Sequence, residues 1–182
     1  MDYSGNKTSM GQERILAETE SIIRAHLSKD GKTLDLTATY LKEYGAKDIA
    51  RIEFLRPLTN LAFGTNLCGA KGVKYLAQSE VLVNLTSLNM FYNRLGNEGV
   101  KYLAVSDNLL SLQNLVLTDN EITDEGAIIL AKFLPLFTNL VRLDLRLNRI
   151  KDDGKNALRE AQKLSNIKHL LLDKVEGFQV KS

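Results

Sequence analysis

The residues of this chain whose types could do covalent or acid–base chemistry are few: two adjacent acid pairs, Asp124–Glu125 and Asp152–Asp153, two histidines, His26 and His169, and one cysteine, Cys68. Paired carboxylates can exchange protons with a substrate, histidine can act as a base or hold a metal, and a thiolate can attack a carbonyl. The placement of each speaks against that chemistry. Both acid pairs fall where helical stretches begin, and negative charge there is favoured by the helix dipole. The two histidines stand near opposite ends of the chain and cannot share a metal. Cys68 occupies a slot that leucine or isoleucine fills elsewhere, which reads as a buried apolar position and not a nucleophile. No phosphate-cradling glycine loop, Cys-x-x-Cys pair or nucleophile elbow is present. Asn84-Leu85-Thr86 and Asn6-Lys7-Thr8 match glycosylation acceptors, but no signal peptide precedes them and both read as coincidental. Catalytic residues, cofactor and metal are therefore all expected to be absent, and the chain is expected not to be an enzyme.

The elements that carry these residues belong to one soluble domain. The 182 residues are 44% hydrophobic and 25% charged, with 12 glycines and 2 prolines, an ordinary globular composition. A net charge of +2 with interspersed signs argues against nucleic acid as a partner, because such proteins gather Lys and Arg on one face. The stretch from Ile128 to Leu140 is interrupted by Lys132, Pro135, Thr138 and Asn139 and is too short to span a bilayer, so no membrane partner is expected. A lone cysteine needs no oxidising compartment, and the cytoplasm is the default location. Delivery into a host cell by a secretion system is the alternative.

Internal repetition dominates the sequence. Leu85-x-x-Leu88-x-Met90-x-x-Asn93-x-Leu95-x-x-x-Gly99 recurs as Leu112-x-x-Leu115-x-Leu117-x-x-Asn120-x-Ile122-x-x-x-Gly126, and again from Leu140 through Asn148 to Gly154. Upstream, Leu58-x-x-Leu61-x-Phe63-x-x-Asn66-x-Cys68-x-x-x-Gly72 follows a degenerate copy from Leu34 to Gly45, and Ile167-x-x-Leu170-x-Leu172 is a truncated last copy. The polar marker sits at 39, 66, 93, 120 and 148, in steps of 27, 27, 27 and 28. Such a period marks a solenoid.

This pattern resembles the leucine-rich-repeat family over roughly residues 33 to 173. The glycine six residues after each Asn, followed by a helical half such as Gly72-Val-Lys-Tyr-Leu-Ala77 or Gly99-Val-Lys-Tyr-Leu-Ala104, is similar to the ribonuclease-inhibitor-like subclass. The resemblance implies an α/β leucine-rich-repeat solenoid, a short horseshoe with a parallel sheet on the concave side and helices on the convex side.

Each position has a physical reason. Alternate side chains of a short strand point to opposite faces, so Leu88/Met90 and Leu115/Leu117 face the core. The Asn side chains can satisfy backbone groups where the chain leaves the strand, forming a ladder through 66, 93, 120 and 148. Asn97, Asp124 and Asp152 are expected to cap the helices that they open. Pro57 and Pro135 would stop outer helices. Tyr75 and Tyr102, one repeat apart, are expected to pack on each other.

Solenoid ends need covers. Residues 1–10 are expected to be disordered, and residues 11–30 to form a capping helix with Ile15, Ile22, Ile23 and Leu27 on one stripe. Residues 31–173 then make five coils plus a closing strand, and 174–182 a polar tail. That tail supplies no full cap, so the chain is read as a monomer with possible association through its C-terminal end.

What remains for function is surface. Columns across the concave sheet are expected at Thr33/Asn60/Ser87/Asn114/Arg142/His169, at Asp35/Ala62/Asn89/Val116/Asp144/Leu171, and at Thr37/Gly64/Phe91/Thr118/Arg146/Asp173. A fourth is Ala38/Thr65/Tyr92/Asp119/Leu147/Lys174. Phe91 and Tyr92 place adjacent aromatics mid-sheet, beside the charged Arg142, Asp144 and Arg146. Exposed aromatics in a concavity favour a binding site. With Asn89, Val116, Thr118 and Asp119 they make the candidate surface for a protein partner. The competing possibility is that Phe91 packs on Tyr92 and Val116 while the charges form a solvated net. As alternatives to a simple interaction module, the resemblance leaves open a regulator of a GTPase or other enzyme, or a bacterial effector that binds a host protein.

Overall fold

The computed structural model describes residues 17–173. Residues 17–26 are helical (α1), and Leu27 then forms an antiparallel bridge to Leu34. Six strands follow: β1 (Thr33–Asp35), β2 (Asn60–Ala62), β3 (Ser87–Asn89), β4 (Asn114–Val116), β5 (Arg142–Asp144) and β6 (His169–Leu171). Between them run α2 (Lys42–Ile49), α3 (Gly69–Ala77), α4 (Gly96–Ala104), α5 (Asp124–Phe133) and α6 (Asp152–Lys163). The strands form one parallel sheet in chain order, β1 to β6. Its register sets Leu34, Leu61, Leu88, Leu115, Leu143 and Leu170 side by side, which is the register the repeat dictates. The architecture is the α/β solenoid expected from the sequence.

The core is the stack of repeat leucines with Phe63, Met90 and Phe137, all buried. At the N-terminal end, Ile23 of α1 is fully buried against the first coil, with Ile22 and Leu27 partly so, and the Arg24 guanidinium lies 3.8 Å from the centre of the Phe54 ring. Ile15 lies outside the described residues, as do the stretches assigned to the disordered N-terminus and the C-terminal tail.

The asparagine ladder forms in detail. Asn93 Nδ2 donates to Phe63 O, one coil back, at 2.8 Å and to Met90 O at 3.1 Å. Its Oδ1 accepts the backbone N–H groups of Asn66 (3.2 Å) and Cys68 (3.3 Å). Asn120 Oδ1 takes the N–H of Asn93, and Asn148 Oδ1 those of Asn120 and Ile122. Residues on either side of the first four markers, such as Tyr92 and Arg94 around Asn93, have positive φ, as does Leu147 before Asn148. That twist turns consecutive N–H groups toward the neighbouring amide oxygen, at a backbone cost the ladder offsets. Thr39 Oγ1 stands in this column 2.7 Å from Leu36 O and 2.9 Å from Asn66 Oδ1, and it accepts no backbone N–H.

The expected helix caps are corrected. Asn97, Asp124 and Asp152 lie inside the first turns of α4, α5 and α6, and the residues that precede those helices make no side-chain cap bond. Asn97 and Asp124 instead serve the next coil. Asn97 Oδ1 accepts from Thr123 N (3.0 Å) at the start of α5, and Asp124 Oδ1 from Lys151 N (2.8 Å) and Gly154 N (2.9 Å) at the start of α6. This explains two repeat glycines: a Cβ on Gly126 would lie 2.6 Å from Asn97 Oδ1, and one on Gly154 2.6 Å from Asp124 Oδ1.

Candidate interaction surface

The outer face of the sheet presents the side chains between and beside the buried leucines. Asn89 and Asp144 share one column, since β3, β4 and β5 pair in register. Each accepts the N–H two residues on: Asn89 Oδ1 from Phe91 at 3.0 Å, and Asp144 Oδ1 from Arg146 at 3.2 Å. Asp35 does the same for Thr37. These turns hold the start of the third column in a fixed pose.

Asp144 is buried while its partners are not. Its side chain is 3% exposed against 51% for Arg146 and 40% for Arg142. Arg146 reaches both carboxylate oxygens, Nε to Oδ1 at 2.9 Å and an Nη to Oδ2 at 2.7 Å, and Arg142 adds a longer contact at 3.3 Å. Burial alone would push the Asp144 carboxyl up, yet the Arg146 hydrogen bonds and charge, with help from Thr118, hold it below its ordinary value. The Arg146 guanidinium is raised in turn, first by its hydrogen bond to Asp144. The result is an exposed cation clamped in one orientation by a buried anion.

Phe91 and Tyr92 are exposed, with ring centroids 6.2 Å apart and tilted by 38°. Phe91 also lies across Gly64 of the preceding coil, because a Cβ there would come within 2.5 Å of Phe91 Cδ1. The glycine and the phenylalanine fill one slot together, so Phe91 is partly a packing residue. Tyr92 is not held this way. Val116, Thr118 and Asp119 are half-buried between the aromatic pair and the arginines. Leu147, at the turn slot beside Asp119, is also exposed. The tyrosines Tyr40 and Tyr44 of the first coil are more exposed than any residue of the aromatic pair. Neither was singled out from the sequence, and the signal for them was an aromatic at the two slots where interior coils carry Leu67, Arg94 or Lys71.

On the convex side the expected stacking of Tyr75 on Tyr102 does not occur. Among the described residues the only ring pair is Phe91–Tyr92. Lys47 of the preceding helix lies 5.9 Å from the Tyr75 ring centre, and Lys74 5.6 Å from that of Tyr102, since the helices are spaced widely enough for a lysine to interpose. Cys68 is buried and its thiol is pushed up to about 12 by that burial, as befits an apolar substitute. Among the described residues no group of three or more His, Cys, Asp or Glu could hold a metal ion, and no helix is long and apolar enough to cross a membrane.

A protein-family model agrees with this repeat geometry. The family model described as "Leucine Rich repeat" matches residues 81–104, 108–131 and 138–158. No curated protein sequence matches the chain. Among solved structures it is similar to an internalin (inlF) from Listeria monocytogenes, at 24% identity and a TM-score of 0.44, over 72% of this chain and 32% of that one. It is also similar to the Leiomodin-1 Actin-Binding Site 2, at 11% identity and a TM-score of 0.48, over 89% of this chain and 79% of that one. This chain thus spans about a third of the internalin's length. The repeated units between residues 81 and 158 are leucine-rich repeats, and the six-stranded parallel array that they extend is a leucine-rich-repeat solenoid.

Proposed function

We propose that the chain is a protein-interaction module, of the ribonuclease-inhibitor-like subclass, that binds a protein partner on its concave face around Tyr92, Phe91, Arg142 and Arg146. The subclass is supported by the 27- to 28-residue period with a helix in each interior coil. The observation that carries the binding reading is the Arg146 guanidinium, fixed across both oxygens of buried Asp144 on the same face as two exposed aromatics. A side chain already immobilised loses little rotamer freedom on association. Arginine and tyrosine beside each other are the residue types that most often dominate interface energies. The role is one of binding and not of catalysis, and the cytoplasm is the proposed compartment.

The test is affinity capture from native lysate, comparing the wild-type chain with a Tyr92→Ala/Arg146→Ala double variant. Tyr92 is preferred to Phe91 because removing Phe91 would also open the space over Gly64. The variant should lose its specific partner by about tenfold or more, with capture run well below its melting point, which falls because Arg146→Ala leaves the longer Arg142 contact as the remaining ion pair of buried Asp144. Equal recovery of the same proteins by both chains refutes the concave site.

A further inference from the structure

Seven residues after their repeat glycines, Ser79 and Ser106 tie each coil to the helix end of the one before. Ser79 Oγ donates to Ala50 O at 2.6 Å, and Ser106 Oγ to Ala77 O at 2.5 Å. The same position after Gly126 is Phe133, which has no donor. It falls in the coil that carries the extra residue of the 28-residue step, and α5 runs to ten residues where α3 and α4 have nine. Ala104 O, at the end of α4, is the carbonyl that a third serine would have served. It accepts no hydrogen bond from the described residues, and Ala104 is only 2% exposed. Ala104 lines a cleft of about 250 Å³ together with Val105, Asp107, Leu110, Phe133 and Leu136. We infer that this cleft is a docking site for an arginine side chain of a partner protein. No lining residue belongs to the concave columns, so the site is separate from the surface proposed above.

The walls suit an aliphatic stem. Val105 is 49% exposed and Leu136 59%, with Leu110 and Phe133 partly buried behind them. The polar character of the cleft is that of an acceptor. Ala104 O stands at the C-terminal end of a helix, where the dipole is negative. Asp107 is exposed and pairs with no cation among the described residues. No lysine or arginine lines the cleft. The cleft around Tyr75, about 400 Å³, is the contrast: it carries Lys47 and Arg51, and its Ala50 carbonyl is already taken by Ser79. An anionic side chain would be repelled by Asp107. A purely apolar one would fill the walls and leave a buried carbonyl without a donor, which is costly. A cation on an aliphatic stem meets both demands. Arginine fits better than lysine because its five N–H groups can serve a carbonyl and a carboxylate together, it is the more weakly hydrated, and it stacks on aromatic rings. Arg24 lies over Phe54 in this way within the chain itself.

The experiment titrates Nα-acetyl-arginine methylamide into the full chain while following the methyl signals of Val105 and Leu136 by NMR. The citrulline compound, a neutral isostere, and the lysine compound are titrated separately. The arginine compound should move both methyls with an affinity about two- to tenfold above that of citrulline, the difference between a charged and a neutral donor, and should bind more tightly than lysine. Asp107→Asn, a change at an exposed residue, should bring arginine down to the level of citrulline. Phe133→Ser, which returns a donor to Ala104 O, should bind arginine more weakly than Phe133→Ala does. Equal affinity for arginine and citrulline, a lysine compound that matches arginine, or no response of either methyl overturns the inference. So does a preference that survives Asp107→Asn, or equal binding by the serine and alanine variants.

Discussion

Replacing Asn93 by alanine tests whether the side-chain ladder or the leucine core alone defines the coil. Asn93 is fully buried, and its Oδ1 is the acceptor for two backbone donors, Asn66 N–H and Cys68 N–H. The carbonyls that it serves fare better, because Phe63 O keeps a bond from Asn66 Nδ2 and Met90 O one from Asn120 Nδ2. The loss is thus two buried N–H groups without partners, at about 1–3 kcal/mol each, a total of about 2–6 kcal/mol. With a urea slope of about 2 kcal/mol/M, the unfolding midpoint followed by circular dichroism should fall by about 1–3 M. Thr39→Ala supplies the internal control, since Thr39 occupies the same column but accepts no backbone N–H, and it should cost no more than about 1 kcal/mol. If the two substitutions cost the same, or Asn93→Ala costs less than about 1 kcal/mol, the donors must find water or each other and the ladder is not what holds the turns.

Gly64→Ala should destabilise by about 1–3 kcal/mol through overpacking against Phe91, whose Cδ1 stands 2.5 Å from the new methyl position. In a Phe91→Ala background the same change should cost much less, and thermal melts of the four chains will read a coupling of about 1 kcal/mol or more. The Asp144 carboxyl titrates below its ordinary value of 3.8 in the folded state. Its contribution is therefore present above that value and lost as the pH falls through the lower, folded-state titration. In Arg146→Met, burial without its strongest partner should raise the Asp144 titration, and a carboxyl-detected NMR titration that stays put would contradict the clamp. Cys68, with its thiol pushed up to about 12, should react with a disulfide reagent at pH 8 only as fast as the chain opens. A rate insensitive to mild denaturant would place the thiol at the surface.

Much of the fold was legible because the solenoid is one unit repeated, so a phase read at five marker positions fixes every strand register. The concave columns followed from the same arithmetic and match the pairing of Asn89 with Val116 and Asp144. What escaped the sequence is the identity of partners across coils. Asp124 has the residue type and local position of a cap, and it is one, but for the helix that begins 28 residues later. Local patterning carries no sign of that displacement, because an acid in a first turn looks the same whichever helix it serves. Gly64 escaped likewise. A glycine in the third column is uninformative until Phe91 is seen lying across it. The tyrosines of the convex side share one repeat position, which suggested contact, but the spacing between helices leaves room for a lysine in between. For the candidate surface, the columns gave the strand neighbours, and only the structure shows that Phe91 lies across Gly64 as well as beside Tyr92.

The two kinds of cross-coil bond run in opposite directions along the chain. On the turn side a coil receives its acceptor from its successor, as Asn66 N–H does from Asn93; on the helix side it receives it from its predecessor, as Gly154 N–H does from Asp124. An interior coil is thereby a creditor of both neighbours, and truncation has a handedness. Removing a coil from the C-terminal side strips acceptors from a buried turn, whereas removing one from the N-terminal side strips them from a helix end that water can reach. In a quasi-linear array whose stability is set by nearest-neighbour terms, that difference should bias where the chain begins to fray and the direction in which order spreads.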